Sequence, residues 1–192
     1  MTPPGRLTVI TGPMFSNKSG ELLRLAEVYR IAGRTVGLFK HGLDDRYTGA
    51  AQISTHGGQA MDAEPVSMAA QIALLATSYE VVAIDEAQFF DTALAGIVRD
   101  LVERGTIVLV AGLDRNFKGD PFGPLAELLA LADDVMKLRA VCMVCRSLDA
   151  TMTQRLIDGR PATAGDPEIL IGAAEHYEAR CRRCHELPDD RR

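Results

Sequence analysis

Short apolar runs alternate with helical repeats from Leu7 to about Asp134. The runs LTVIT (Leu7–Thr11), TVGLFK (Thr35–Lys40), EVVAIDE (Glu80–Glu86) and TIVLVAGL (Thr106–Leu113) are rich in aliphatic and β-branched residues. They predict strands buried on both faces, because a strand with one wet face would alternate apolar and polar positions. Between them, Lys18–Ala32 puts Leu22, Leu25, Ala26 and Tyr29 on one helical face, and Ser67–Thr77 and Thr92–Glu103 repeat the helical spacing. Gly33 and Gly105 stand where helix C-terminal caps are expected. Alternation of this kind predicts an α/β fold with a mostly parallel sheet flanked by helices, right-handed crossovers, and ligands at the carboxyl ends of the strands.

Two stretches break the pattern. Lys40–Asp62 is polar and glycine-rich, too long for a plain connector, and loops of that length are usually functional. After Asp134, VMKLRAVCMVC opens a cysteine-bearing segment that closes at ARCRRCHELPDDRR. The change of character places a boundary near Lys137, dividing the chain into residues 1–137 and 138–192. A length of 192 residues suits one domain with a small appendage, and 47% hydrophobic with 24% charged residues is a globular composition. A formal charge of -5 disfavours a general attraction to nucleic acid. No apolar run approaches the roughly 20 residues that span a bilayer, so no membrane partner is expected. The first strand leads straight into a loop that the fold needs, which argues against a cleaved signal and for a cytoplasmic protein.

TGPMFSNKSG (Thr11–Gly20) comes within one residue of the phosphate-cradling pattern G-x-x-x-x-G-K-[ST]. Gly12, Lys18 and Ser19 keep the spacing, and Asn17 stands where the second glycine belongs. Strand, loop and helix follow one another in the order such a cradle requires, and the helix N-terminus adds its own unpaired N–H groups. The plain alternative is an ordinary turn with Lys18 in solvent. A left-handed backbone costs an L-residue about 1–2 kcal/mol, and Asn is one of the few side chains that visits it routinely, so Asn17 is compatible with the loop.

The apolar run VVAI ends in Asp85 and Glu86. Beside a phosphate cradle, one acid at a strand end can hold Mg²⁺ and a second can take a proton from an attacking hydroxyl. Neighbours on a strand face opposite ways, which predicts Asp85 for the metal and Glu86 as the base; a solvated strand end is the alternative. GLDRNFKGDPFGP (Gly112–Pro124) mixes Arg115 and Lys118 with Phe117 and Phe122 in a loop shaped by Gly and Pro. Those rings are either stacking surfaces for a planar base or anchors in the core.

Cys142 and Cys145, and Cys181 and Cys184, form two C-x-x-C pairs, the spacing of a closed structural Zn²⁺ site. Such a site would staple a segment too small for its own core, with residues 146–180 as a loop held shut at its base. Redox-active dithiols are the rival, and His185 reads as a bystander.

Taken together, GPMFSNK, DDRY, IDEAQFF, GLDRNFKGDPFGP, AVCMVC, TQRLIDG and YEARCRRC resemble the zinc-containing, phosphate-loop thymidine kinase family over nearly the whole chain. That family carries Gly where Asn17 stands. The resemblance implies a RecA-like ATP-binding unit, residues 1–137, and a small zinc-bound lasso, residues 138–192, closing over the nucleoside. It implies transfer of the γ-phosphate of ATP to the 5′-hydroxyl of thymidine or deoxyuridine, giving dTMP and ADP in pyrimidine salvage. By motif position it implies a phosphate site of Gly12, Pro13, Met14, Phe15, Ser16, Asn17, Lys18, Ser19 and Arg46, with Ser19 and Asp85 at Mg²⁺ and Glu86 as base. Met14, Phe89, Leu113, Phe117 and Phe122 would line the thymine pocket, completed by Leu170, Ile171, Gly172 and Tyr177 from the lasso. A homotetramer inhibited by thymidine triphosphate is also implied. Two readings from other classes stand beside it: a nucleotide-binding protein that has lost turnover through Asn17, and a zinc-ribbon nucleic-acid module on an ATPase core.

Overall fold

The structure, a computed structural model, describes residues 5–42, 52–54, 60–168 and 177–188. Its centre is a sheet of six strands in the spatial order β5-β2-β6-β7-β1-β8. The strands are β1 (Arg6–Thr11), β2 (Val36–His41), β5 (Glu64–Val66), β6 (Val81–Asp85), β7 (Ile107–Gly112) and β8 (Asp134–Lys137). Every pairing within it is parallel, so all the carboxyl ends emerge along one edge. Four helices cover its faces: α1 (Lys18–Ile31), α2 (Ala69–Leu75), α3 (Ala93–Glu103) and α4 (Leu125–Leu131).

Side-chain alternation along each strand feeds two separate cores. Val9, Phe39, Val82, Ile84, Val108 and Val110 join Ile72, Leu94, Val98, Leu125 and Leu128 from α2, α3 and α4. The intervening Ile10, Leu38, Ala83 and Leu109 turn the other way and meet Leu22, Leu23 and Ala26 of α1. Each fully buried aliphatic side chain contributes about 1.5–3 kcal/mol. Near-continuous apolar strands are thus what this two-sided sheet requires.

The four expected strands and three expected helices are present, with ends shifted by a residue or two. Ser67–Thr77 is shorter than expected: α2 spans Ala69–Leu75 and continues as a single 3-10 turn, Ala76–Ser78. Two sheet strands depart from the pattern. β5 carries Pro65, tolerated because β5 is an edge strand. β8 forms the other edge, alternates half-buried with exposed positions, and ends at Lys137. Within the long polar stretch, β3 (Gln52–Ser54) and β4 (Ala60–Asp62) pair antiparallel.

Residues 146–180 are not a simple closed loop. They contain β9 (Met152–Ile157), β10 (Arg160–Pro161) and β11 (Tyr177–Arg180), an antiparallel sheet in the order β10-β9-β11. MTQRLI alternates too little to announce a strand, because Thr153, Gln154 and Arg155 are all buried with polar partners.

Candidate active site

The loop after β1 is built as an anion cradle. Gly12 has φ 149°, and a Cβ there would stand 2.6 Å from the Leu138 carbonyl oxygen, so this position admits only glycine. Phe15 and Asn17 both take left-handed backbone, φ 64° in each case. Left-handed residues between ordinary ones turn successive N–H groups toward a common point, the concave geometry that binds phosphates. The Ser16 hydroxyl donates to the Pro13 carbonyl at 2.8 Å, which braces the loop. Lys18 and Ser19 open α1, and the Lys18 ammonium reaches back to the Pro13 carbonyl at 2.9 Å.

The two acids lie on the same sheet edge. β7 separates β1 from β6, so the strand ends that lead into the loop and into the acids stand two interstrand spacings, about 10 Å, apart. Asp85 ends β6 and is buried, with one carboxylate oxygen accepting the Glu86 N–H at 2.9 Å. Glu86 is directed by a different device from strand alternation. It has already left the strand, in a left-handed conformation at φ 52°, ψ 41°. An ordinary side chain held in that region stores roughly 1–3 kcal/mol, and such strain persists where surroundings impose it, characteristically at functional sites. Gln88 orients the side chain: its amide donates to the Glu86 carboxylate while its oxygen accepts the Leu113 N–H at 3.0 Å.

Beside these groups is an apolar cluster of Met14, Leu113 and Phe122, with Phe89 and Tyr177 packed against it. The Phe89 and Phe122 rings meet edge to face at 5.9 Å. Five residues of the predicted base pocket, from four separate segments, are therefore neighbours. Phe117 stands apart from that cluster: it is buried, with the Arg155 guanidinium 5.3 Å and the Lys118 ammonium 5.5 Å from its ring centre. Arg46, Leu170, Ile171 and Gly172 lie outside the described residues.

The four cysteine sulfurs come within 4.8 Å of one another, on two facing turns. Cys145 and Cys181 are 3.8 Å apart, matching the edge of a tetrahedron with metal–sulfur bonds of about 2.3 Å. The Ser147 hydroxyl favours the thiolate of Cys145 and brings its pKa down to about 6, whereas the hydrogen bond between Cys184 and Cys181 pushes the Cys184 thiol up to about 12. Thiols this close cannot all ionise unless a cation shares their charge, so the cluster suits a structural metal ion and is compatible with zinc. His185 takes no part in the cluster; its Nε2 pairs with the Phe117 carbonyl at 2.8 Å.

Three residues that motif spacing does not single out join these parts. Gln88 holds Glu86, the Thr153 hydroxyl accepts the Met14 N–H at 3.1 Å, and the Asn116 amide donates to Glu168 at 2.8 Å. Gln88 sits inside IDEAQFF and Thr153 opens TQRLIDG, so their neighbourhoods were the available signal, although the contact of Thr153 with Met14 spans 139 positions. Among known families, the model described as thymidine kinase matches residues 5–185. That span takes in the cradle, the acidic strand end, the aromatic cluster and both cysteine pairs, and the chain accordingly belongs to the thymidine kinase family.

Proposed function

We propose that this kinase transfers the γ-phosphate of ATP to the 5′-hydroxyl of thymidine, and of deoxyuridine, releasing dTMP and ADP. The observation that carries the reading is Glu86, left-handed and with its carboxylate bonded to Gln88, at the sheet edge where the glycine loop also emerges. In this reading the loop N–H groups from Gly12 to Ser19 and the Lys18 ammonium bind the ATP phosphates, with Arg46 beside them. The thymine ring occupies the cluster of Met14, Phe89, Leu113, Phe122 and Tyr177. Glu86 accepts the 5′-hydroxyl proton as that oxygen bonds to the γ-phosphorus, while the bond from phosphorus to the β–γ bridging oxygen breaks.

Ser19 and Asp85 offer a hydroxyl and a carboxylate, the hard oxygen donors that suit Mg²⁺. When bound, Mg²⁺ neutralises charge on the β- and γ-phosphates. Residues 1–137 form the ATP-binding unit, and residues 138–192 the zinc-stapled lasso, whose Leu170, Ile171 and Gly172 cover the nucleoside. Excluding water there protects ATP from hydrolysis. Family membership supports a homotetramer and a place in cytoplasmic pyrimidine salvage, and the exposed apolar residues Val28 and Ile31 of α1 are compatible with assembly.

Glu86→Gln is expected to bind ADP and thymidine normally and to lose about 10²–10⁴ of turnover, the usual contribution of a positioned base. Full turnover in that variant sinks the assignment. Offering the four common deoxynucleosides with ATP and Mg²⁺ separates this reading from a detuned binding protein, which would hold both substrates without making product.

A further inference from the structure

Asn17 is where the phosphate loop departs from glycine, and its side chain takes an unusual course. An Asn at a helix start ordinarily adopts extended backbone and accepts an N–H from the first turn. Asn17 instead sits at φ 64°, ψ 34° and makes no capping hydrogen bond. Its amide lies against α1 at Gly20. A Cβ at Gly20 would stand 2.2 Å from Asn17 Oδ1, 2.6 Å from Nδ2 and 2.7 Å from Cγ. All three lie well inside van der Waals contact, so the amide occupies the volume a side chain at position 20 would take.

The three atoms nearest a side chain at that position all belong to Asn17. Gly20 is buried in the first turn of a regular helix and is not among the glycines with positive φ. Glycine at such a position costs about 1 kcal/mol relative to alanine.

We propose that Gly20 is a positioning residue for the nucleotide: by lacking a side chain it seats the Asn17 amide on α1, and so keeps that amide out of the phosphate cavity. The inference rests on the phosphate-loop reading above. A short side chain denied its seat must move to another staggered rotamer, and on this proposal the amide then leaves the helix for the loop. Asn17 and Gly20 are then a matched pair, in which the glycine makes the asparagine harmless.

The test is a double-mutant cycle read by ADP affinity, with thymidine KM and thermal midpoint measured alongside. Gly20→Ala in the natural chain is expected to weaken ADP about tenfold, the scale of an overpacked site, with thymidine KM unchanged. In the Asn17→Gly background the same substitution is expected to shift ADP affinity less than about twofold and to raise the thermal midpoint, as alanine in a helix does. Rescue of that kind is not produced by a general structural defect at position 20. Equal loss in both backgrounds, or no loss in either, overturns the pairing alone. Unchanged ADP affinity in Lys18→Ala would overturn the phosphate-loop reading, and the pairing with it.

Discussion

Among the largest fully buried side chains, Phe39, Leu7, Ile10, Ile84, Leu94 and Leu109 belong to the six-stranded sheet and its helices, whereas the one that follows Lys137 is Gln154. The contrast extends to the clusters. The sheet has an aliphatic core on each face. The region after it gathers Ala140, Cys142, Ala150 and Ala179 around the cysteines. Gln154 is fully bonded: its amide donates to the carbonyls of Arg155 and Glu186, at 3.1 and 2.9 Å, and its oxygen accepts the Glu186 N–H at 2.8 Å. Arg180 adds bonds to the Cys184 carbonyl and to Glu178. A segment this small cannot bury enough apolar surface, so it is held by polar networks and a metal-binding knot. Apolar burial holds the sheet region together, whereas polar bonds and the cysteine cluster hold the region after it.

The largest expected effect is therefore confined to one region. Chelation of the metal should strip hydrogen-exchange protection from residues 140–157 and 177–186 while β1, β6 and β7 stay protected, and thymidine binding should vanish before ADP binding weakens. Protection lost evenly across both regions would break the comparison. Next in size, Ile84→Ala removes a side chain buried completely in the sheet and should cost about 2–5 kcal/mol of global stability with metal content unchanged, measured by denaturant unfolding and zinc stoichiometry. The smallest effect concerns the link between regions. Thr153→Val leaves the Met14 N–H without its acceptor and should cost about 1–3 kcal/mol, read as weaker ADP binding in the metal-loaded protein. An unchanged affinity would show that the two regions act independently.

Legibility followed the same division. β1, β6 and β7 could be read because strands buried on both faces need unbroken aliphatic runs. β8 could not: an edge strand has one neighbour, and DVMK alternates half-buried with exposed positions between charged ends. The helix α4 left a weaker signal in the spacing of its two buried residues, Leu125 and Leu128. In the candidate site, Lys18, Asp85, Glu86 and the four cysteines were legible because their chemistry depends on short fixed spacings. Gln88, Thr153 and Gly20 fall within recognisable stretches, yet their roles were not legible, since the contact each makes is set by the backbone conformation and packing of the fold.

The chain alone determined the alternation of strand and helix, the order of the cradle and the acids, and the two cysteine pairs. These depend on local periodicity and on residues a few positions apart. Tertiary structure decided that five of the residues expected at the base share one cluster, that Glu86 sits in a left-handed turn, and that the Asn17 amide rests on Gly20. Through-space packing sets those distances, and a linear sequence carries them only implicitly, through the free energy of the whole fold.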